Sequence, residues 1–338
     1  MLTQAQIAEN ISWLMEHGSP AVRFLTHRHI LGTNPDDERL SALWREVEAS
    51  KEVVGIFANQ QTDGSWCCGN PWAAKPSYIP AAGYSPFTPK FVTAVWVLSV
   101  LGDMGFTVSD PRIRRATDYV LRYQWESGLF DRFHLPQKRQ SAQREDPSFN
   151  APCELGIYLA SLGKIGMGQD PRLAKSYDLL LRWQREDGGW IAQYHKEERN
   201  WSRSCPAASH GAAMALYYSG KDDCRDALRR GLHFQTRHLT LKRGDEIRTF
   251  FFHGDNTVKE LLALSELGEC LNERPVEVLL AWLAGMYRPG EGCFSFTGKR
   301  PTSASPGWMR YNAYHLLEDD WLTYYATRIA VNLQKSGH

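Results

Sequence analysis

Gln184-Arg-Glu-Asp-Gly-Gly-Trp190 decides the fold, because the same phrase recurs with variation along the chain. Looser copies run from Gln61 to Trp66, from Gln124 to Phe130 and, most loosely, from Tyr287 to Phe294. The first three copies begin about 60 residues apart, and the longer interval before the fourth has room for a unit whose motif is missing. A repeat of this period predicts stacked copies of one supersecondary unit.

Nearly all-apolar segments alternate with amphipathic ones along the chain. A helix that is apolar all round must be buried, whereas a helix with one apolar stripe lies on an outer surface. Six pairs follow this alternation: 20–31 with 34–54, 88–101 with 110–121, 150–166 with 170–184, 204–219 with 222–236, 256–268 with 275–287, and 306–317 with 321–333. The sequence therefore predicts an all-α fold, an (α/α)6 toroid of alternating inner and outer helices.

The repeats also predict the domain organisation. A closed array can share one core at a length of 338 residues, so we expect a single domain over 1–338, with residues 1–18 as an N-terminal capping helix. The glycines of the recurring motif should end the outer helices in a left-handed conformation. The aromatic residue that follows each of them should then plug the gap towards the next unit.

Composition narrows the class of protein. The net charge is +1 with 23% charged residues, which lacks the basic excess typical of nucleic-acid binders. With no basic leader and no long apolar run, we expect a cytoplasmic protein with at most peripheral membrane contact. Seven cysteines indicate reduced thiols or metal ligands rather than a disulfide framework. Twelve tryptophans suit either a deep apolar pocket or the layers of a helical core.

The motif carries a resemblance to a known family. The Gln-Asp-Gly-Trp phrases resemble the QW repeats of the terpenoid cyclase and protein prenyltransferase superfamily, whose fold is an α/α toroid. The stretches that begin at Pro20, Asp110 and Asp170 are similar to those of bacterial single-domain terpene-cyclase/mutase-like proteins, which are squalene-hopene cyclase-like. The resemblance covers nearly the whole chain. It implies an apolar small-molecule substrate, an isoprenoid or its diphosphate.

In such a toroid all inner helices point the same way, so the residues near their N-termini share one mouth. The partial positive charge of helix N-termini favours anionic ligands there, diphosphate among them. The candidate substrate-binding residues at this mouth are Lys90, Thr93, Trp96, Glu154, His210, Trp308, Arg310 and Tyr311.

The stretch His253-Gly-Asp-Asn-Thr-Val-Lys-Glu260 resembles the Asp-x-Asp-Asp-Thr-Ala stretch of class II terpene cyclases, which protonates an alkene or epoxide. The resemblance places Asp255 on the proton-donating aspartate, His253 on the first aspartate and Asn256 on the following position. Either neighbour could orient the acid by a hydrogen bond. This hypothesis requires no cofactor. Alternatively, Asp255 only caps the helix that begins at Asn256.

Two further alternatives stay open. Cys153, Cys205 and His253 would suit an open Zn2+ site, as in the prenyltransferases of the same superfamily, although each cysteine could equally be a small buried residue. A non-catalytic toroid that binds a lipid or a protein is the third possibility. The polar groups at one mouth favour an enzyme of the isomerase or lyase class.

Overall fold

The computed structural model of the chain describes residues 2–66, 87, 93–130, 152–191, 204–238, 257–296 and 318–337. Most of this part is helical. The helices are α1 (Gln4–His17), α2 (Pro20–Leu25), α3 (Glu38–Ala49), α4 (Lys51–Ala58), α5 (Ala94–Asp103), α6 (Pro111–Leu121), α7 (Pro152–Leu162), α8 (Ala174–Trp183), α9 (Pro206–Ser219), α10 (Arg225–His238), α11 (Thr257–Leu267), α12 (Arg274–Ala284) and α13 (Asp319–Lys335). Between α12 and α13 lies an antiparallel pair of short strands, β1 (Tyr287–Arg288) and β2 (Cys293–Phe294).

Four shorter turns extend these helices. π-Helical turns at Thr26–Ile30 and Gly163–Met167 continue α2 and α7, and 3-10 turns at Pro171–Leu173 and Asp222–Cys224 lead into α8 and α10. None of the helices in the described ranges is both long and apolar enough to cross a bilayer.

The inner helices are buried because their sequences carry few charges. In α5, nine of ten residues are buried, all but Gly102. Neighbouring inner helices approach very closely where glycines face each other. A Cβ atom on Gly156 of α7 would lie 2.5 Å from the backbone of Gly211 in α9, and one on Gly163 would meet Tyr218 at 2.7 Å. The earlier residue of one helix meets the earlier residue of the other, and the later meets the later, so α7 and α9 run in the same direction.

The outer helices are amphipathic, and several begin with an aspartate cap. Asp37, Asp110 and Asp170 each accept a hydrogen bond from the backbone N–H two residues later. Such caps satisfy N–H groups that a helix leaves unpaired at its start. The aspartate therefore marks the start of each of these outer helices in the sequence.

The recurring motif acts as a staple between consecutive outer helices. After α8, Gln184 Nε2 donates to the carbonyl oxygens of Gly188 (3.0 Å) and of Ala227 in α10 (2.7 Å). Gly188 has φ +87°, and a Cβ there would lie 2.5 Å from the carbonyl oxygen of Arg230. Trp190 is fully buried and donates from Nε1 to the Leu180 carbonyl at 2.8 Å. The predicted aromatic plug and the left-handed glycine are confirmed, but the glycine does not end the helix: α8 ends at Trp183, with Gln184 as its C-cap at φ −67°.

The same staple follows α4 and α6, with a correction of register in the first copy. Gln60, not Gln61, donates to the next outer helix, from Nε2 to the Arg112 carbonyl at 3.0 Å. Gln61 reaches only the Asn59 carbonyl. In the second copy Gln124 donates to the Arg172 carbonyl at 2.9 Å. The working pattern is thus glutamine, three residues, glycine, one residue and an aromatic side chain.

The fourth copy shows how the toroid closes. Gly292 lies against the backbone of Glu9 in α1, 3.3 Å from where its Cβ would be, so α1 occupies the position that the next outer helix takes elsewhere. α1 packs antiparallel to α13, with Asn10 hydrogen-bonded to Thr327 at 3.1 Å. That 1–338 is one domain, with residues 1–18 as a cap, stays a prediction, and the structure adds that α1 packs beside α13.

α13 overturns one predicted pairing. Its buried residues cover every face of the helix, so it belongs to the inner ring, and the expectation that 321–333 is an outer helix is wrong. The polar residues that suggested an exposed face are buried threonines, Thr323 and Thr327, whose hydroxyls donate to backbone carbonyls one turn earlier. The inner helix predicted at 306–317 lies outside the described residues. The all-α (α/α)6 toroid itself is confirmed, with α2, α5, α7, α9, α11 and α13 as its inner helices.

Candidate active site inside the helix ring

The six inner helices follow each other around the ring in chain order. α5 packs on α7 and α7 on α9, while α11 packs on α13 and α13 on α2. Hydrogen bonds from His210 to Glu260 and from Tyr217 to Glu266 join α9 to α11 in parallel. Phe24 of α2 contacts Gly105 after α5 and completes the ring. α5 and α11 are therefore three places apart and face each other across the centre.

Four of the predicted substrate-binding residues lie at the start of inner helices. Thr93 caps α5, and Trp96 in its first turn is 4% exposed and donates from Nε1 to the Phe87 carbonyl at 3.2 Å. Glu154 is in the first turn of α7 and half-buried, and His210 in α9 is fully buried. The structure thus places these four at one end of the ring. Lys90, Trp308, Arg310 and Tyr311 lie outside the described residues.

The predicted acid and metal ligands are mostly outside the described part. His253, Asp255 and Asn256 precede α11, whose first described residue is Thr257, so their roles stay predictions. Cys205 stands at the N-cap of α9 and is half-buried. The backbone of Cys153 belongs to α7, and nothing is described of its side chain.

Sequence reasoning missed the partner of His210. His210 Nδ1 is hydrogen-bonded to Glu260 Oε1, and these side chains are 0% and 2% exposed. Glu260 lies in the first turn of α11, five residues after Asp255 in the sequence. Its second oxygen, Oε2, is buried and has no hydrogen-bond partner among the described residues. The available signal was an acidic residue inside an otherwise buried helix.

A carboxyl and an imidazole that are buried in contact give each other a hydrogen-bond partner. Burying either group without a partner is costly, so the contact stabilises both inside the helix ring. We call His210 and Glu260 the histidine pair.

A second charged group lies inside the ring, between the start of α11 and the end of α5. Lys259 Nζ of α11 contacts Asp103 Oδ1 at the end of α5. Lys164 Nζ lies 3.3 Å from the same Oδ1 atom. These three side chains, the lysine cluster, are 2–3% exposed. Lys164 Nζ also donates to Ser99 Oγ at 3.0 Å, and Lys259 Nζ lies 5.2 Å from the centre of the Tyr325 ring. The sequence signal was again charge within apolar helices.

The lysine cluster lines a cavity of about 410 Å3 at the C-terminal end of the ring, together with residues of the other inner helices and of the turns that extend them. At its rim Glu266 pairs with Arg328 and accepts a hydrogen bond from the Tyr217 hydroxyl. Burial and the nearby Glu266 raise the pKa of Tyr217 well above its ordinary value, so the hydroxyl stays protonated and donates. This end of the ring is thus polar and paired.

Comparison with solved structures finds distant likenesses over the whole chain. A crystal structure of a protein from Actinoplanes is 14% identical, with a TM-score of 0.43 and 99% of each chain covered. The type II terpene cyclase MstE from Scytonema is 12% identical without ligand, with a TM-score of 0.47 and 98% of each chain covered. A variant of MstE in complex with its product, merosterolic acid A, is 13% identical with a TM-score of 0.46, covering 98% of this chain and 97% of that one.

No protein-family model matches the chain, and no curated protein does. At these identities and TM-scores no residue role passes from the solved structures to this chain.

Proposed function

We propose that this chain is a terpene cyclase-like enzyme that acts on an isoprenoid or another apolar substrate by acid-initiated cyclisation. The observation that carries the proposal is the histidine pair, a carboxyl group and an imidazole buried together between two inner helices. Cyclisation of this type needs a carboxylic acid whose proton is poised in an apolar interior by a hydrogen-bonded partner. The buried contact between His210 and Glu260 supports the proposal, because it places a hydrogen-bonded carboxyl and imidazole in the interior behind the proposed acid.

Asp255 is the proposed proton donor, and the histidine pair is its support. Asp255 stands two residues ahead of α11, and Glu260 follows in the first turn of that helix. An acid donates to an alkene only if its proton is poised, and in this proposal the histidine pair, which follows Asp255 in the sequence, supports that acid. In this proposal Asp255 protonates one carbon of a double bond, and the ring bonds then form from the remaining double bonds.

The wall of the ring suits the carbocation that such a reaction generates. The cation gains from the electron-rich faces of aromatic side chains, and tryptophan provides the strongest of these attractions. Trp96, in the first turn of α5 at the same end as His210, is the proposed aromatic contact. The reaction ends when the cation loses a proton to a carboxylate, which leaves the mass of the substrate unchanged.

The lysine cluster indicates through which end of the ring the proposed substrate enters. Lys259 and Asp103 meet between facing inner helices, and in this proposal their buried charges block the C-terminal end to an apolar substrate. An apolar substrate would have to break that cluster to enter there, at a cost of several kcal/mol. The proposed substrate therefore enters and leaves through the N-terminal mouth.

The test is turnover on a panel of linear polyprenols, their diphosphates and polyprenes of graded length, with products identified by gas chromatography and mass spectrometry. The native chain should give cyclic products of unchanged mass. Asp255→Asn should lower turnover by about 100-fold or more, since it removes the acid. Asp36→Asn is the matched control, because Asp36 is an exposed aspartate ahead of an outer helix.

Two results would overturn the proposal. Full turnover by Asp255→Asn would remove Asp255 as the acid, and a native chain that yields no cyclic product over the whole panel would remove the activity. Glu260→Gln separates the roles of donor and support. It should lower turnover but leave a measurable rate, whereas Asp255→Asn leaves none above background.

A further inference from the structure

Two junctions between consecutive outer helices, from α1 to α3 and from α10 to α12, lack the staple. Gln60, Gln124 and Gln184 join the outer helices in three places, and Gly292 marks a fourth. Between α10 and α12 the sequence 239–256 contains no glutamine and therefore no copy of the working pattern. The described residues of this junction hold a different set of side chains.

His233, Cys270 and Glu273 converge at that junction. His233 belongs to α10, Glu273 is the N-cap of α12, and Cys270 lies in the turn before it. One ligand atom from each residue can be chosen so that all three atoms lie within 4.8 Å of one another, and His233 Nε2 is 2.7 Å from Glu273 Oε1. With Zn–N of about 2.0 Å and Zn–S of about 2.3 Å, three such atoms need only small side-chain shifts to surround one ion.

The backbone at Cys270 is held in an unusual conformation. Its φ is +58°, and it is the only non-glycine residue with a positive φ among the described residues. A side chain in this region costs about 1 kcal/mol or more, and such strain tends to persist where a side chain has a task. The Cys270 thiol lies within 4.8 Å of a ligand atom of His233 and of one of Glu273.

Neighbouring groups orient two of the three ligands. Thr236 Oγ1 lies 2.8 Å from Glu273 Oε2 and 2.9 Å from the His233 carbonyl, so its proton can bond the carboxylate while Oε1 faces His233. Arg237 Nη2 lies 2.7 Å from His233 Nδ1, and Arg237 is exposed. An imidazole that binds a metal through Nε2 carries its proton on Nδ1, so Arg237 would have to swing away into solvent.

We propose that His233, Cys270 and Glu273 bind a Zn2+ ion that ties α10 to α12 in place of the missing staple. One nitrogen, one sulfur and one carboxylate oxygen form an acceptable tetrahedral set for zinc, with water as the fourth ligand. The site is accessible, since the side chains of His233 and Glu273 are 39% and 31% exposed. Binding exchanges the thiol proton of Cys270 for the ion, so one proton leaves to solvent.

The first test uses Co2+ as a spectroscopic probe on the full chain after treatment with a chelator. A thiolate ligand gives a near-ultraviolet charge-transfer band, and a tetrahedral site gives visible bands. Both should appear in the native chain and in Cys205→Ser, and neither should appear in Cys270→Ser. This pair distinguishes the junction from the site predicted at Cys153, Cys205 and His253. Bands that persist in Cys270→Ser, or that never appear in the native chain, would overturn the proposal.

The second test can contradict the proposal even if Cys270→Ser folds poorly, because it uses other variants. Arg237→Gln removes the competitor for His233 Nδ1 and a nearby positive charge, so it should bind Co2+ several-fold more tightly than the native chain. His233→Gln should lose the bands while keeping the thiol. Zn2+ should raise the thermal midpoint of the native chain and of Arg237→Gln but not that of His233→Gln. Equal affinity in all three proteins would count against the site.

Discussion

The histidine pair and the lysine cluster are both buried in the same ring, but they differ in how their charges balance. The histidine pair joins two adjacent helices, and one shared proton suffices to make it neutral. The lysine cluster joins opposite helices and gathers two ammonium groups on one carboxylate. The first is a one-to-one contact between a carboxyl and an imidazole, whereas the second places two ammonium groups around one carboxylate.

This difference assigns different tasks to the two ends of the ring. A carboxyl in contact with an imidazole is an arrangement that acid–base chemistry uses, and a carboxylate paired with two ammonium groups is suited to fixing helices. Loss of the carboxylate in the lysine cluster should therefore cost more stability than loss of the carboxylate in the histidine pair.

Asp103→Ala should produce the largest effect. It leaves two buried ammonium groups without their shared partner, which costs about 3–5 kcal/mol of unfolding free energy. Urea unfolding followed by circular dichroism at neutral pH measures this loss. Asp118→Ala is the control, because its carboxylate is 54% exposed and 3.4 Å from Arg172, so about 0–1 kcal/mol is expected. Equal losses in the two variants would contradict the assignment of the lysine cluster.

The triple replacement Asp103→Leu, Lys164→Met and Lys259→Met sharpens the same point. Replacing a buried ionic triad by apolar side chains of similar volume is often neutral or stabilising. The triple variant should therefore regain most of the stability that Asp103→Ala loses. If it stays as unstable as the single variant, packing and not charge accounts for the loss.

Glu260→Gln should have an intermediate effect on stability. The amide still offers the His210 ring a hydrogen-bond partner, so the loss should be about 1–3 kcal/mol, the cost of an imperfectly satisfied buried polar group. The same urea titration measures it. Glu277→Gln, with a side chain 50% exposed and paired to Arg274, should change stability by less than about 0.5 kcal/mol. A loss in Glu260→Gln that matches Asp103→Ala would erase the distinction between the two clusters.

The contrast also explains what the sequence could predict. The recurring Gln184–Trp190 pattern predicts the toroid because its glycine and aromatic residue have local tasks, a positive φ and a plugged gap. Glu260, Lys259 and Asp103 could not be paired from sequence, because partners 50 and 156 residues apart meet only once the ring has closed. Their common signal, a charge inside an apolar helix, indicates burial without naming a partner.

The assignment of 321–333 failed for a related physical reason. Threonines that return their hydroxyl hydrogen bond to the helix behind them pack like apolar residues, as Thr323 and Thr327 do. In the sequence they look like a polar face. Hydropathy therefore separates inner from outer helices where the polar residues are charged, and less well where they are threonines.

The smallest effect on stability is expected for Asp110, the N-cap of the outer helix α6, because its carboxylate lies outside the ring of inner helices. Burial alone would raise the pKa of Asp110, but the side-chain and backbone hydrogen bonds from Arg112 outweigh it and hold that pKa below its ordinary value. A carboxyl whose pKa is lowered by folding contributes stability above its unfolded pKa and loses it as the pH falls through the folded value.

Asp110→Asn keeps the cap acceptor but cannot titrate, and Asp110→Ala removes the cap at a cost of about 1 kcal/mol. The gap in unfolding free energy between the native chain and Asp110→Asn should therefore shrink as the pH is lowered from 7 into the acid range, while Asp110→Ala stays below Asp110→Asn throughout. Urea midpoints across this pH range measure both gaps. A constant gap to Asp110→Asn would show that Arg112 does not stabilise the charged form, and the cap would then act through its hydrogen bond alone.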